Sequence, residues 1–134
     1  MTIAVCIDDK NGMMFNKRRQ SRDSELIRDF VELCGDGKIL ISSFSEKLFA
    51  DFQDRVTVDD SFLDGAEEDD ICFVENADVT PFAERINKII LYRWNRHYPS
   101  DFKFTFDLSG YTLTESKDFE GSSHENITRE VYVK

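Results

Sequence analysis

A chain of 134 residues that is 40% hydrophobic and carries twelve Phe has enough apolar material for one self-sufficient core, despite 33% charged residues. Its formal net charge of −10 excludes duplex nucleic acid as the expected partner, because neutralising phosphates takes a basic surface. No apolar run approaches the roughly twenty residues that span a bilayer, and Met1–Cys6 lacks a basic leader and stops at Asp8-Asp9-Lys10, so no membrane segment or secretory signal is expected.

Ile3–Ile7 is a continuous apolar run closed by Asp8-Asp9-Lys10-Asn11-Gly12, which predicts a buried strand and a tight turn. A polar, basic loop, Asn16–Gln20, follows. Ser21 or Asp23 can cap the next helix, with Asp23 and Glu25 favourable at its positive end. Leu26, Ile27, Phe30, Val31 and Cys34 fall at helical spacing, and Gly35-Asp36-Gly37 supplies the stop. Lys38–Ile41 reads as a second strand, Glu46–Phe52 as a helix capped from Ser42–Ser45, Val56–Val58 as a weak strand and Ser61–Glu68 as a short helix. Asp70–Glu75 is predicted to be a third buried strand, Pro81–Ile86 a helix with Pro in its first turn, and Lys88–Trp94 a long fourth strand. Repeated β-then-α units imply parallel strands with crossover helices.

Beyond Pro99 the period changes to two, in Phe102–Phe106 and Tyr111–Thr114, as antiparallel edge strands require. Ile127–Val133 is the last strand, reached across a long polar loop. Cys6, Cys34 and Cys72 are odd in number, lack C-x-x-C spacing and lie in apolar runs, which points to reduced thiols and a cytoplasmic location. One domain over residues 1–134 is expected, with an α/β fold.

This layout resembles the dihydrofolate reductase family over nearly the whole chain. Ile3–Met13 is similar to that family's first strand and substrate loop, Ser24–Phe30 to its first helix, and Gly37–Ile41 to its second strand. Asp70–Val74 resembles the strand before the cofactor glycines, and Lys88–Arg93 the strand after them, with Asp101 and Phe104 near an Asp-x-x-Phe segment. The resemblance implies a three-layer fold with a trimmed mixed sheet, helices on both faces and a C-terminal antiparallel hairpin. The departures argue against reductase chemistry, and no cofactor is expected. Glu75-Asn76 stands where a Gly-Gly pair would admit a pyrophosphate, Ser42–Ser45 replaces Gly-Arg-x-Thr, and Arg18-Arg19-Gln20 replaces Leu-Pro-Trp. Only Glu25 lies near the family's catalytic carboxylate.

The segments Arg18–Asp23, Tyr92–Arg96 and Ser122–Glu125 also resemble those of short proteins from anaerobic Firmicutes, some labelled ribonuclease Z. That enzyme's metal cluster has no counterpart in a chain whose only histidines are His97 and His124, and no metal site is expected.

Lys17–Arg22 is the one dense positive stretch. It is either a solvated loop paired with acids or an anion cradle at the carboxyl edge of the sheet, where open α/β sheets bind ligands. If the latter, Arg18, Arg19, Arg22, Glu25, Glu75, Asn76 and Tyr92 are the residues expected to line the pocket. Tyr92–Tyr98 mixes cations with aromatics, as a strand end or a stacking surface does. In Gly121–Asn126 a Ser, a His and a carboxylate adjoin, which suits a capped hairpin loop, with His124 an acid or base if the loop folds over the sheet edge. The acids from Asp59 to Asp70 lack calcium-loop spacing. These residues suggest a non-reductase binder of a small anionic or nucleotide-like ligand. The alternatives are a divergent enzyme, with Glu25 as a reductase's proton donor or His124 serving a hydrolase, and a homodimeric interaction module paired through Phe102, Phe104 and Phe106.

Overall fold

The computed structural model describes residues 1–134. In chain order it contains β1 (Thr2–Ile7), β2 (Gly12–Phe15), β3 (Arg18–Arg19), α1 (Ser24–Cys34), β4 (Ile39–Ile41), a 3₁₀ segment Ser43–Arg55, β5 (Val56–Val58), α2 (Phe62–Gly65), β6 (Ile71–Phe73), a 3₁₀ segment Thr80–Arg85, β7 (Lys88–Arg93), β8 (Phe102–Lys103), β9 (Thr112–Phe119) and β10 (Ile127–Val133). The main sheet has seven strands in the order β5-β4-β6-β1-β7-β10-β9. The first five run parallel, and β10 and β9 form the antiparallel hairpin at one rim. No helix is long and apolar enough to cross a membrane.

Both faces of the central strands are buried, which is why β1, β6 and β7 read as continuous apolar runs rather than alternating ones. Ile3, Val5 and Ile7 of β1 face one layer, together with Cys72, Ile89 and Leu91. Ala4 faces the other with Phe73, Ile90 and Tyr92, and there it meets Leu26, Ile27, Phe30 and Val31 of α1. Burying each of those helix side chains contributes about 2 kcal/mol. Within that second layer Phe49 meets Phe30 and Phe73 edge to face, and Phe30 and Phe73 are tilted against each other, with ring centroids 5.2 to 6.1 Å apart. Asp23 caps α1, and Gly35, at φ +55°, ends it.

Several expectations need correction. The basic loop is a β2–β3 hairpin, turned at Asn16 and Lys17 with φ of +52° and +61°. Two successive positive φ values make a turn matched to strand twist, yet without an Asn-Gly pair nothing in the composition announces it. Residues 43–55 and 80–85 form 3₁₀ turns rather than α-helices. Phe49 and Phe52 leave helical geometry so that Phe49 can enter the core, and Thr80–Arg85 is too short to propagate. The phenylalanines near residue 104 do not form an exposed edge. Phe104 is buried, Phe102 and Phe106 pack on the same cluster, and only Phe102–Lys103 pairs, with β2. The true rim is β9, which extends through what reads as a polar loop to Phe119.

Candidate functional site

The carboxyl ends of β1, β4, β6 and β7 deliver Asp8, Ser42, Glu75 and Trp94 to one edge of the sheet. Asp8 is buried and organises loops. It accepts the N–H groups of Lys10 (2.9 Å), Gly12 (2.7 Å) and Tyr98 (3.1 Å) and the Gln20 amide (3.2 Å). Burial alone would raise its pKa, but the N–H groups of Gly12, Tyr98 and Lys10, aided by Gln20, hold it below the ordinary value.

Glu75 is clasped rather than free. Arg19 donates to both carboxylate oxygens, at 2.8 and 3.0 Å, and the buried Ser45 hydroxyl donates to one of them at 2.8 Å. The same guanidinium donates to the Phe44 carbonyl at 3.0 Å and lies 4.8 Å over the Phe44 ring. Hydrogen bonding to Glu75 raises the pKa of Arg19. The clasp closes over the end of β6 and leaves beneath it a cavity of about 20 Å³, lined by Cys6, Met13, Asp23, Phe73 and Trp94 among others. That volume holds about one water, whereas ligand pockets occupy roughly 300–1,000 Å³.

The second centre is Asp23. As N-cap it accepts the N–H groups of Glu25 (3.0 Å) and Leu26 (3.3 Å). The 120–126 loop folds down on it from the far end of the chain. The N–H groups of Ser122 and Ser123 donate at 2.9 and 2.8 Å, their hydroxyls approach at 3.1 and 3.2 Å, and Nδ1 of His124 lies 3.0 Å from Oδ2. Burial would raise the Asp23 pKa, but the Ser122 and Ser123 N–H groups, His124 and the Leu26 N–H hold it well below the usual carboxylate range. An ionised, acceptor-only Asp23 requires a proton on Nδ1, which in the neutral imidazole leaves Nε2 as the acceptor. It faces two hydroxyls, Tyr98 at 2.9 Å and Ser21 at 3.1 Å, and the buried ring stacks on Trp94 at 4.5 Å.

Gly121 shows how tightly the loop is seated: a Cβ there would lie 2.3 Å from Asp23 Oδ2 and 2.8 Å from Ile127 Cδ1. Because that carboxylate is fixed by its own bonds, Gly121→Ala is expected to cost about 2 kcal/mol, read as a lower midpoint in chemical denaturation.

Outside the small cavity lies an open cleft of about 1120 Å³ between the β2–β3 hairpin, the start of α1 and the segment after β4. Lys17, Arg18, Arg19, Arg22 and Lys47 line it, and its one lining carboxylate is the fully engaged Asp23. Arg19 is paired with Glu75, while Lys17, Arg18, Arg22 and Lys47 form no ion pair. The N–H groups of Ser24, Glu25 and Leu26 are already taken by Ser122 and Asp23, so the attraction for anions comes from side chains and not from the helix end.

Of the residues singled out in the sequence, Arg18, Arg19 and Arg22 line the cleft and Glu75 borders the inner cavity. Glu25 lies outside both, 3.6 Å from Arg28 on the solvent side of α1. The buried carboxylate here is Asp23, two residues earlier. Asn76 is exposed and borders neither space. Tyr92 is fully buried, and its hydroxyl donates to Asp29 at 2.7 Å, away from the cleft. Burial, reinforced by the Asp29 charge, raises its pKa far above normal. Ser21, Asp23, Ser45 and Tyr98 escaped the sequence reading as site residues because their partners lie many positions away. No group of three or more His, Cys, Asp or Glu side chains is arranged to hold a metal ion.

No family model matches the chain, and no curated protein matches it. Among solved structures it is similar to dihydrofolate reductase from Enterococcus faecalis complexed with NADP(H) and RAB-propyl, with a TM-score of 0.70 at 9% identity, covering 98% of this chain and 94% of that one. At that identity the likeness is one of architecture. From strand order to the closing hairpin, the chain has a dihydrofolate-reductase-like fold.

Proposed function

We propose that this protein binds a small anionic ligand, phosphorylated or nucleotide-like, in the open cleft and is not a reductase. The observation that carries the reading is the set of four cations, Lys17, Arg18, Arg22 and Lys47, facing one cleft without a carboxylate partner on a chain of net charge −10. On so acidic a surface, cations left unpaired and gathered in a concavity concentrate positive field, and guanidinium groups suit phosphate or carboxylate oxygens. The clasped Glu75 and the small cavity beneath it speak against a nicotinamide ring and a pterin packed side by side in the interior.

Thermal melts with pyrophosphate, ATP and a phosphorylated sugar, each against its uncharged analogue, test the reading. A rise in melting temperature with at least one of these anions is expected. It should disappear in Arg18→Ala/Arg22→Ala, whose own melting point stays near that of the parent because both side chains are exposed and unpaired. If none of these anions shifts the melt, the reading fails.

A further inference from the structure

Ser21, His124 and Asp23 come from two places in the chain: Ser21 and the helix cap Asp23 from the short stretch between β3 and α1, and His124 from the 120–126 loop. The Ser21 hydroxyl lies 3.1 Å from Nε2 of His124, and Nδ1 lies 3.0 Å from Asp23 Oδ2. This is the order of contacts that turns a hydroxyl into a nucleophile: a base within hydrogen-bond reach, oriented and charge-balanced by a buried carboxylate. Six further hydrogen bonds fix Asp23, from the backbone N–H groups of Glu25, Leu26, Ser122 and Ser123 and from the Ser122 and Ser123 hydroxyls. Stacking on Trp94 and the Tyr98 hydroxyl, which shares the Nε2 lone pair with Ser21, fix the ring. A histidine needed only to tie down the loop would be complete with Asp23 and Tyr98. Ser21 is the additional contact, and like Asp23 it borders both the inner cavity and the open basic cleft.

We propose that Ser21 is a nucleophile and that the cleft hydrolyses small carboxylic esters bearing a negative charge. Ser21 Oγ attacks the carbonyl carbon as its proton passes to Nε2. The ester C–O bond then breaks, and the leaving alkoxide takes that proton, which leaves the acyl group on Ser21. A water gives a proton to Nε2 and attacks the acyl carbon. The bond to Ser21 breaks, its oxygen is reprotonated by His124, and a carboxylic acid departs. Water is the sole co-reactant and no electrons are exchanged with a redox partner. Arg18, Arg22 and Lys47 draw in the substrate's charge and favour the oxyanion that develops on the carbonyl oxygen. The charge preference of the substrate rests on the anion-binding reading, whereas the nucleophile does not.

The experiment uses the intact chain with a fluorophosphonate probe, followed by peptide mass spectrometry, and with two chromogenic esters, the 4-nitrophenyl hemiester of succinate and neutral 4-nitrophenyl acetate. Expected is a single adduct on the Ser21 peptide and hydrolysis that falls at least about 100-fold in Ser21→Ala. The melting temperature of that variant should stay nearly unchanged, because Tyr98 still satisfies Nε2. Arg18→Ala/Arg22→Ala should raise KM about tenfold for the succinate hemiester alone. Absence of a Ser21 adduct, or equal hydrolysis by folded Ser21→Ala, overturns the proposal. A Ser21 adduct with no preference for the charged ester upholds the nucleophile and overturns the substrate class and, with it, this use of the basic cleft.

Discussion

Asp23→Ala is expected to lower the melting temperature by about 10 °C or more, the largest single effect of any replacement in the site. Helix α1 loses its cap, at about 1 kcal/mol. The buried His124 Nδ1 and the Ser122 and Ser123 N–H groups lose their acceptor together, at about 1–3 kcal/mol for orphaned buried donors. A total of about 2–4 kcal/mol is a large share of the 5–15 kcal/mol that holds an ordinary domain together. Asp23→Asn keeps one acceptor oxygen and should fall between the parent and the alanine variant. The pH dependence follows from the depressed pKa of Asp23 in the folded state. A carboxylate held below its unfolded value of about 3.9 contributes stability that is fully present above that value and is lost as pH falls toward the folded pKa. Urea midpoints between pH 7 and pH 2 should therefore drop more steeply below pH 4 for the parent than for Asp23→Asn. Parallel curves would show that Asp23 is not the titrating group.

The Arg19–Glu75 clasp gives the second large effect. Its side chains are 24% and 10% exposed, so the pair is sheltered without being sealed. Glu75→Ala leaves a sheltered guanidinium and the buried Ser45 hydroxyl without their acceptor, and should cost about 3 kcal/mol. Replacing both charges by apolar side chains of similar volume, Arg19→Met/Glu75→Leu, removes the orphan along with the pair and is expected to recover most of that loss. Denaturation midpoints of the single and double variants measure this directly. If the double variant is as unstable as Glu75→Ala, the loss lies in packing of the hairpin rather than in charge pairing. For ligand binding the consequence is that Arg19 is structural and that Arg18 and Arg22 are the arginines to mutate.

What could be read in advance follows from how local its cause is. Helix α1 was legible because cap, apolar spacing and stop all lie within fifteen residues, from Asp23 to Gly37. The parallel strands were legible because a segment buried on both faces has to be apolar throughout. The first half of strand β9 was legible in the alternation of Tyr111–Thr114, but its extension to Phe119 was not, since the side chains from Glu115 to Asp118 are exposed polar ones with no apolar alternation. The β2–β3 hairpin was hidden by a Lys at positive φ. The basic cleft was visible as Lys17–Arg22, but Asp23 could be recognised only as a cap, and His124 only as a candidate acid or base without its partners. What joins them is a fold in which they sit 101 positions apart.

That separation bears on the order in which the molecule assembles. Strand β1 lies between β6 and β7, so it has neither neighbour until residues 71 to 93 are available. The basic hairpin and the start of α1 must wait longer still for the 120–126 loop to dock on Asp23. Contacts that close such long stretches of chain form slowly, because the entropy of closure is spent before the contacts return it. During synthesis, α1 emerges with its apolar face uncovered and its cap half satisfied, and the ribosome must advance about a hundred residues more before Ser21 meets His124. Any chemistry at that pair is therefore confined to chains that have finished folding.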